Sequence, residues 1–294
     1  MIIKPNSLPI RVLGRTNENV TILGLGTSPI GEGSISKQQA RKVFEYTIDN
    51  GVNLIDTAPI YGNAEEVLGE IIPTRRNSLY LATKVCTEYA DQAEFQLTKS
   101  LETLNTDYID LCYIHNIGDK NIDIIESKTG VLNYLIYQQR IGRVRHIGVS
   151  AHSKGDKILR ILNTGIIDVA MFVINYADRY LYNFENRILP FCFHRNIGVV
   201  AMKVYTGIVA GIRCHTKGHI GCATPPELLP HAMAYVLDLP GVSTALIGPF
   251  TIKQAQSNVD IARSYLPLTN EHRNALLAYG EKLSCSIGFR YGPE

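Results

Sequence analysis

Four ionisable residues stand at or just beyond the ends of short apolar runs in the first half of the chain. Asp56 closes "NLID", Tyr61 follows in "TAPIYGNAEEVLGE", Lys84 closes "LYLATK" and His115 closes "IDLCYIH". Runs of this kind, bounded by turn-forming residues, read as buried strands, and a carboxylate at such an end is costly unless something compensates it. Each residue alone has an ordinary role: an Asp after a strand caps a helix, a Lys extends its stem toward water, and a rim His hydrogen-bonds locally. On neighbouring strands they complement one another. A desolvated Lys84 needs a counter-ion, which Asp56 can supply, and the cation is expected to lower the pKa of a nearby phenol below its reference of about 10. Tyr61 then becomes a proton donor, and His115 adds a hydrogen bond to the same substrate oxygen and fixes its orientation. With no Ser or Cys nucleophile beside a base and no metal-ligand spacing, the set fits polarisation and protonation of a carbonyl while a hydride arrives from elsewhere.

Such a set needs a scaffold that brings several strand ends to one face. The strand candidates are "TILGLGT", "VNLIDTA", "LYLATKV", "IDLCYIH", "HIGVS", "VAMFVIN", "GVVAMKV" and "STALIG". They are apolar nearly throughout rather than alternating, which implies a parallel sheet covered on both faces. Helix-period segments separate them: "KQQARKVFEYTIDN" carries Ala40, Val43, Phe44 and Ile48 on one face and stops at Gly51, "DQAEFQLTKSLETL" is amphipathic, and "TIKQAQSNVDIA" begins at the N-cap residue Thr251. Eight such units predict a closed (β/α)8 TIM barrel rather than a doubly wound sheet, with catalytic residues at the C-terminal strand ends. The turn "GRTNEN" between "LPIRVL" and the first strand predicts an N-terminal β-hairpin closing the barrel floor. No repeat or Pro/Gly linker divides the chain, so residues 1–294 read as a single domain.

Composition narrows the function classes. A net charge of +2 gives no electrostatic case for nucleic acid or a membrane surface, and the basic stretch "QQRIGRVRHIG" reads as a helix end. No stretch approaches the roughly 18 apolar residues of a membrane helix, and "MIIKPNSLPIRVLG" lacks the apolar core of a secretory signal, so a cytoplasmic location is expected. The six cysteines show no CxxC pair, which fits reduced thiols, most of them small core residues.

The segments "NLIDTAPIYGNAEEVLG", "ATKV", "TDYIDLCYIH", "GRVRHIGVS" and "ALIGPFTIKQAQSN", in this order, resemble the aldo-keto reductase superfamily. The resemblance implies a barrel that binds extended NADP(H), with NAD(H) also possible. It also implies a tetrad in which Tyr61 is the acid, Lys84 its modulator, Asp56 the partner of Lys84 and His115 the orienter. By the same resemblance, Gly26 and Thr27 lie near the nicotinamide ribose, Ser150 contacts the carboxamide and Lys203 reaches the pyrophosphate. Gly248, Thr251, Gln254 and Asn258 fall in the segment that wraps the adenosine 2′-phosphate, with Asn258 toward the adenine. On the residues alone, a loop opening a helix at Thr251 beside Lys253 suits a phosphate, and equally suits an ordinary capped helix.

The chain departs from the family pattern in places. Ala151 stands where many members have Asn, Met171 where the register expects Gln, Met202 where a Tyr often stacks, and the adenosine segment lacks an Arg. "AMK" on strand seven resembles a branch in which some members add a C-terminal cysteine cluster for iron and sulfur; only Cys285 is present in this tail, so no cluster is expected. In "RCHTKGHIGC", Cys214, His215, His219 and Cys222 suggest zinc, but adjacent Cys-His is poor tetrahedral spacing and no metal is expected. "GCATPPELL" is expected to restart a helix with Thr224 as N-cap and Pro225 at N1. The tail "CSIGFRYGPE" reads as a disordered terminus, or as an aromatic pair around Arg290 that closes over a polar or anionic substrate.

The function expected is transfer of a hydride to an aldehyde, ketone or sugar-like lactol, or the reverse oxidation of a small alcohol. The alternatives are a cofactor-binding regulatory or redox-sensing subunit, and a biosynthetic enzyme using the same site for transient oxidation with dehydration or isomerisation.

Overall fold

The apolar runs form the staves of a closed barrel. The computed structural model describes residues 7–31, 35–209, 212–213 and 222–294. Its barrel strands are β1 (Leu23–Gly26), β2 (Leu54–Asp56), β3 (Tyr80–Val85), β4 (Ile109–Ile114), β5 (Val144–Ala151), β6 (Val169–Val173), β7 (Gly198–Met202) and β8 (Val242–Ile247). All pair in parallel with their neighbours, and β8 joins both β7 and β1 to close the ring. Apart from Arg145 and His146 in β5, every residue of these strands is buried, as a sheet covered on both faces requires.

Strand periodicity sorts the buried residues into two sets. Outward residues such as Leu25, Ile55, Leu81 and Cys112 pack with the surrounding helices, including Ala40, Val43, Phe44 and Ile48 of helix Lys37–Asp49. A reciprocal capping box between Ser36 and Gln39 starts that helix, and Gly51 follows it with φ 96°. Inward residues Leu54, Tyr80, Ala82, Leu111, Tyr113, Val169, Met171, Val200 and Met202 form the barrel's interior cluster. The same two-residue step places Asp56 above Leu54, Lys84 above Ala82, and His115 above Tyr113. The strands thus carry their apolar plug and their polar mouth on one inward face. Gly148 on β5 makes room for the plug: a Cβ there would sit 2.5 Å from Cδ1 of Tyr113.

The predicted hairpin is present. Ile10–Val12 pairs antiparallel with Asn19–Thr21, and the fully buried Leu13 and Val20 enter the interior cluster from below. Gly14, at φ +51°, lies so close to β7 that a Cβ would come within 2.2 Å of the Gly198 nitrogen. The Arg15 guanidinium donates to the carbonyls of Gly165 and Ile167 in the loop entering β6, which fastens the hairpin to the floor.

The segment after residue 222 corrects an expectation. Thr224 does not cap a helix; it is buried, with its hydroxyl 3.0 Å from that of Tyr176 and 3.1 Å from that of Thr206. Pro226 holds Pro225 extended at ψ 149°, so Pro225 cannot be a first helical residue. A 3-10 turn at Pro226–Leu228 intervenes before helix Leu229–Leu237.

The C-terminal tail is docked. After helix Asn270–Ile287 the chain returns across the barrel, and Arg290 Nη2 lies 2.5 Å from Asp178 Oδ2, both side chains being 1% exposed. The Tyr291 amide donates to the Tyr182 hydroxyl at 2.9 Å, and Tyr182 donates to the Gly292 carbonyl at 3.1 Å. Arg290 therefore spends its charge inside the protein rather than on a substrate. Breaking a buried ion pair by deleting one partner costs about 3–5 kcal/mol. Arg290→Leu is accordingly expected to lower stability by about that amount and to expose the tail to proteolysis, read by urea unfolding and limited digestion. An unchanged midpoint and an intact tail would show the pair to be incidental. No helix among the described residues is long and apolar enough to cross a membrane.

Candidate active site

The upper rim of the barrel begins with an ion pair. Lys84 Nζ donates to both carboxylate oxygens of Asp56, at 2.7 and 2.6 Å, and to the Thr57 carbonyl at 2.7 Å. Both side chains are almost wholly buried, at 1% and 4% exposure, so the three acceptors replace the hydration that the ammonium loses. Thr27 holds Asp56 from the far side: its amide and its hydroxyl both donate to the Asp56 carbonyl, each at 3.0 Å.

Tyr61 sits in the turn between β2 and the short helix Ala64–Gly69. Its amide donates to the Ala58 carbonyl and its carbonyl accepts from Ala64, each at 3.0 Å. This turn lays the ring over the ion pair, with Lys84 Nζ 4.8 Å from the ring centroid. His115 closes the group from β4, its ring edge-on to that of Tyr61 with centroids 6.0 Å apart. On the other side, its Nδ1 lies 3.1 Å from Cys86 Sγ.

Burial governs the protonation states. It would pull the Lys84 ammonium down, but Asp56 and Tyr61 outweigh it and the pKa is raised, so Lys84 is a firm cation. For Asp56 burial is again the largest influence and raises the carboxyl, against the attraction of Lys84 and of the more distant Lys203. Tyr61 corrects the expectation of a lowered phenol. Burial of its hydroxyl end raises the pKa by more than the charge and hydrogen bonding of Lys84 lower it, leaving a net upward shift. The resting phenol therefore keeps its proton.

All four residues line one cavity, together with Gly26, Ser150, Lys203 and Gly248. An adjoining cavity shares Tyr205, Cys222, Ile247, Gly248 and Phe250 with it and extends over the end of β8 to Gln254 and Asn258. The two make a groove from the tetrad to helix Ile252–Arg263, which suits an elongated ligand with a ring at one end and a second polar group at the other. Gly248 lets the chain leaving β8 pass close against Gly26 and Pro29, since a Cβ there would meet Pro29 Cγ at 2.5 Å and the Gly26 carbonyl oxygen at 2.7 Å. Lys203, at φ 61°, adopts the left-handed backbone that a non-glycine residue rarely takes, and its carbonyl accepts from Asn175 Nδ2 at 3.0 Å.

Two expected cofactor residues stand apart from the groove. Thr27 is fully buried behind Asp56, and Thr251 is exposed and serves as N-cap of helix Ile252–Arg263. Gln254 does both jobs: its Oε1 accepts from the Phe250 and Thr251 amides in a capping box while the residue lines the adjoining cavity. Met171 and Met202 line the main cavity as apolar wall. Residues not singled out from sequence also gather here. Asn116, at φ 48°, donates its amide to the Ser150 hydroxyl at 3.0 Å, and its Oδ1 lies 3.2 Å from Nδ1 of His152, whose ring meets Tyr291 at 5.2 Å. An Asn directly after a strand-end His was the available signal for the first of these. Cys214, His215 and His219 lie outside the described residues; among the described ones no group of three metal-ligating side chains occurs.

The family model for the "Aldo/keto reductase family" matches residues 22–211, the stretch that carries all four of Asp56, Tyr61, Lys84 and His115. The chain belongs to the aldo/keto reductase family. Its curated relatives include the L-galactose dehydrogenase of Arabidopsis thaliana, 25% identical over 86% of this chain and 87% of that protein. Another is the uncharacterized oxidoreductase YqkF of Bacillus subtilis, 26% identical over 92% and 95%. Among solved structures, an aldo/keto reductase from Klebsiella pneumoniae in complex with NADP and acetate superposes with a TM-score of 0.74 at 23% identity, covering 95% of this chain and 96% of that one. The last likeness bears on the fold, and the barrel expected from sequence is the family's barrel.

Proposed function

We propose that this aldo-keto reductase transfers a hydride between NADP(H) and a small carbonyl compound, an aldehyde, ketone or sugar-like lactol, with Tyr61 as the proton donor. The observation that carries this reading is the convergence of a buried Lys84–Asp56 pair, Tyr61 and His115 on one cavity wall. Bound in the groove, the nicotinamide cofactor supplies the hydride. Ser150 and Gly26 would hold its nicotinamide end, Lys203 its pyrophosphate, and Gly248, Gln254 and Asn258 its adenosine end.

The chain's own chemistry then concerns one proton. Tyr61 gives its hydroxyl proton to the carbonyl oxygen, and His115 hydrogen-bonds to that oxygen and fixes it. Lys84 stabilises the phenolate left behind, and Asp56 balances Lys84 so that the cation stays in place. In the opposite direction the phenolate accepts the alcohol's proton. The likeness to L-galactose dehydrogenase over most of both chains favours including lactol oxidation among the reactions to be tried. The whole chain, residues 1–294, is read as one barrel domain carrying this site.

The test is loss of nicotinamide absorbance when the purified protein is offered aldehydes, ketones and lactols with NADPH, or its gain with NADP and alcohols. Binding of cofactor without turnover of any member would favour a cofactor-binding regulatory role instead. For the cofactor itself, NADPH is expected to bind more tightly than NADH. One charge-assisted hydrogen bond from Lys253 to the additional phosphate is worth about 1.5–3 kcal/mol, or roughly tenfold and more in affinity. Fluorescence titration with both cofactors checks this, and equal dissociation constants or tighter NADH would show that the segment after β8 is not a phosphate clamp.

A further inference from the structure

Cys86, two residues beyond Lys84, has no part in the chemistry described above, yet its sulfur meets the inner nitrogen of His115. Its Sγ lies 3.1 Å from Nδ1. His115 lines the cavity and Cys86 does not, so Nδ1 points into the protein and the Nε2 edge of the ring is turned away from the sulfur, toward the cavity side. The backbone of Cys86 is clamped from two directions. Its amide donates to Gln96 Oε1 at 2.6 Å, from helix Ala90–Leu104, and its carbonyl accepts from Lys120 Nζ at 3.2 Å, from the turn after β4. The main chain that carries the sulfur is thereby held from two sides.

A neutral imidazole carries its single proton on either nitrogen, and the hydrogen bond made by one nitrogen decides what the other presents. A contact between a thiol and Nδ1 can run in two directions. Sulfur is a weak acceptor, whereas the imidazole lone pair is a strong one, so S–H donating to Nδ1 is the better bond. Burial pushes the Cys86 thiol up to about 11 despite the pull of Lys84 and Lys120, so the S–H proton is present throughout the neutral range.

We propose that Cys86 is a positioning residue for His115: its thiol donates to Nδ1 and holds the neutral ring in the tautomer whose proton is on Nε2, ready to donate to a substrate oxygen. The inference rests on the reading of His115 as the residue that hydrogen-bonds the carbonyl oxygen. The segment from Lys84 to Cys86, at and just beyond the end of β3, then supplies both the cation beneath the phenol and the donor that orients the imidazole.

The test compares the full-length chain with Cys86→Ala, which deletes the donor, and Cys86→Ser, which keeps an O–H in its place. In nitrogen-15 NMR of histidine-labelled protein, wild-type His115 is expected to show a protonated Nε2 and an acceptor Nδ1. Cys86→Ala is expected to acquire a substantial Nδ1–H population, and Cys86→Ser to restore most of the wild-type pattern. With a turned-over carbonyl, Cys86→Ala should lower kcat by about three- to tenfold, the value of one ordinary hydrogen bond, at unchanged cofactor affinity. A wild-type tautomer retained in Cys86→Ala, or an Nδ1–H ring in the wild type, overturns the proposal. The nitrogen shifts are read without substrate, so a protein that reduces no carbonyl would defeat the functional reading while the role of Cys86 is still decided.

Discussion

Tyr61→Phe is expected to lower carbonyl reduction by about 10²–10⁴-fold, the range for loss of a positioned general acid, while leaving the cofactor dissociation constant nearly unchanged. The substitution removes one hydroxyl and keeps the ring that packs 4.8 Å above Lys84 and edge-on to His115, so the ion pair and the cavity wall should stand. The pH profile follows from the upward shift of the phenol. With Tyr61 as the proposed acid, reduction requires the protonated phenol, so its rate should hold through the neutral range and fall on the alkaline side only beyond the ordinary phenol value of about 10. Oxidation requires the phenolate and should rise with pH over the same interval. Steady-state kinetics with cofactor titration read both effects. Near-normal turnover of an authentic substrate by Tyr61→Phe would remove Tyr61 from the acid role.

The second large effect separates the two halves of the buried pair. Asp56→Asn leaves the Lys84 ammonium buried opposite a neutral amide, and is expected to destabilise the fold by about 3–5 kcal/mol. Its chemical effect should be the milder, because Lys84 is still present beneath the phenol. Lys84→Met removes the charge proposed to stabilise the phenolate and should abolish most turnover; any residual alkaline limb moves further up, since Lys84 is the influence that lowers the phenol. Its stability should depend on pH with a definite sign. Burial already raises Asp56, and without Lys84 that rise is unopposed by its main partner. A carboxyl whose folded pKa lies above its unfolded value favours the fold when protonated. The Lys84→Met variant should therefore be most stable in acid and lose stability as pH rises from about 4, the unfolded value, through the raised folded one. Urea unfolding across that range measures it. Equal stability losses in both variants with unaltered activity would reduce the pair to a structural ion pair.

Much of this site is legible in the sequence because strand periodicity does the placing. Asp56, Lys84 and His115 each follow an inward apolar residue by two positions, so once the runs are read as barrel strands these side chains must converge at the mouth. The hairpin, the helix over "KQQARKVFEYTID" and the cap at Thr251 are equally local, and they appear as expected. What escapes is non-local or a balance of opposed effects. The tail reads as loose because its anchor, Asp178, lies 112 residues away, and nothing near Arg290 announces a buried carboxylate. Cys86 looks like one more core thiol until His115 arrives from the next strand. The direction of the Tyr61 shift depends on whether burial or Lys84 wins, and spacing along a chain contains no measure of burial. Thr251 and Gln254 satisfy a capping box and a cofactor segment with the same residue types, so their pattern alone does not choose between the two.

On the proposed function, this cavity delivers a hydride and the Tyr61 proton to one carbonyl group. The most direct test is isotopic: incubation with nicotinamide-deuterated NADPH and a panel of aldehydes, ketones and lactols, followed by mass spectrometry of the alcohols formed. One deuterium is expected on the former carbonyl carbon with the wild-type protein, and loss of nearly all transfer with Tyr61→Phe at equal cofactor occupancy. Transfer that persists undiminished in Tyr61→Phe, or cofactor bound in the groove with no deuterium reaching any carbonyl, would contradict that function.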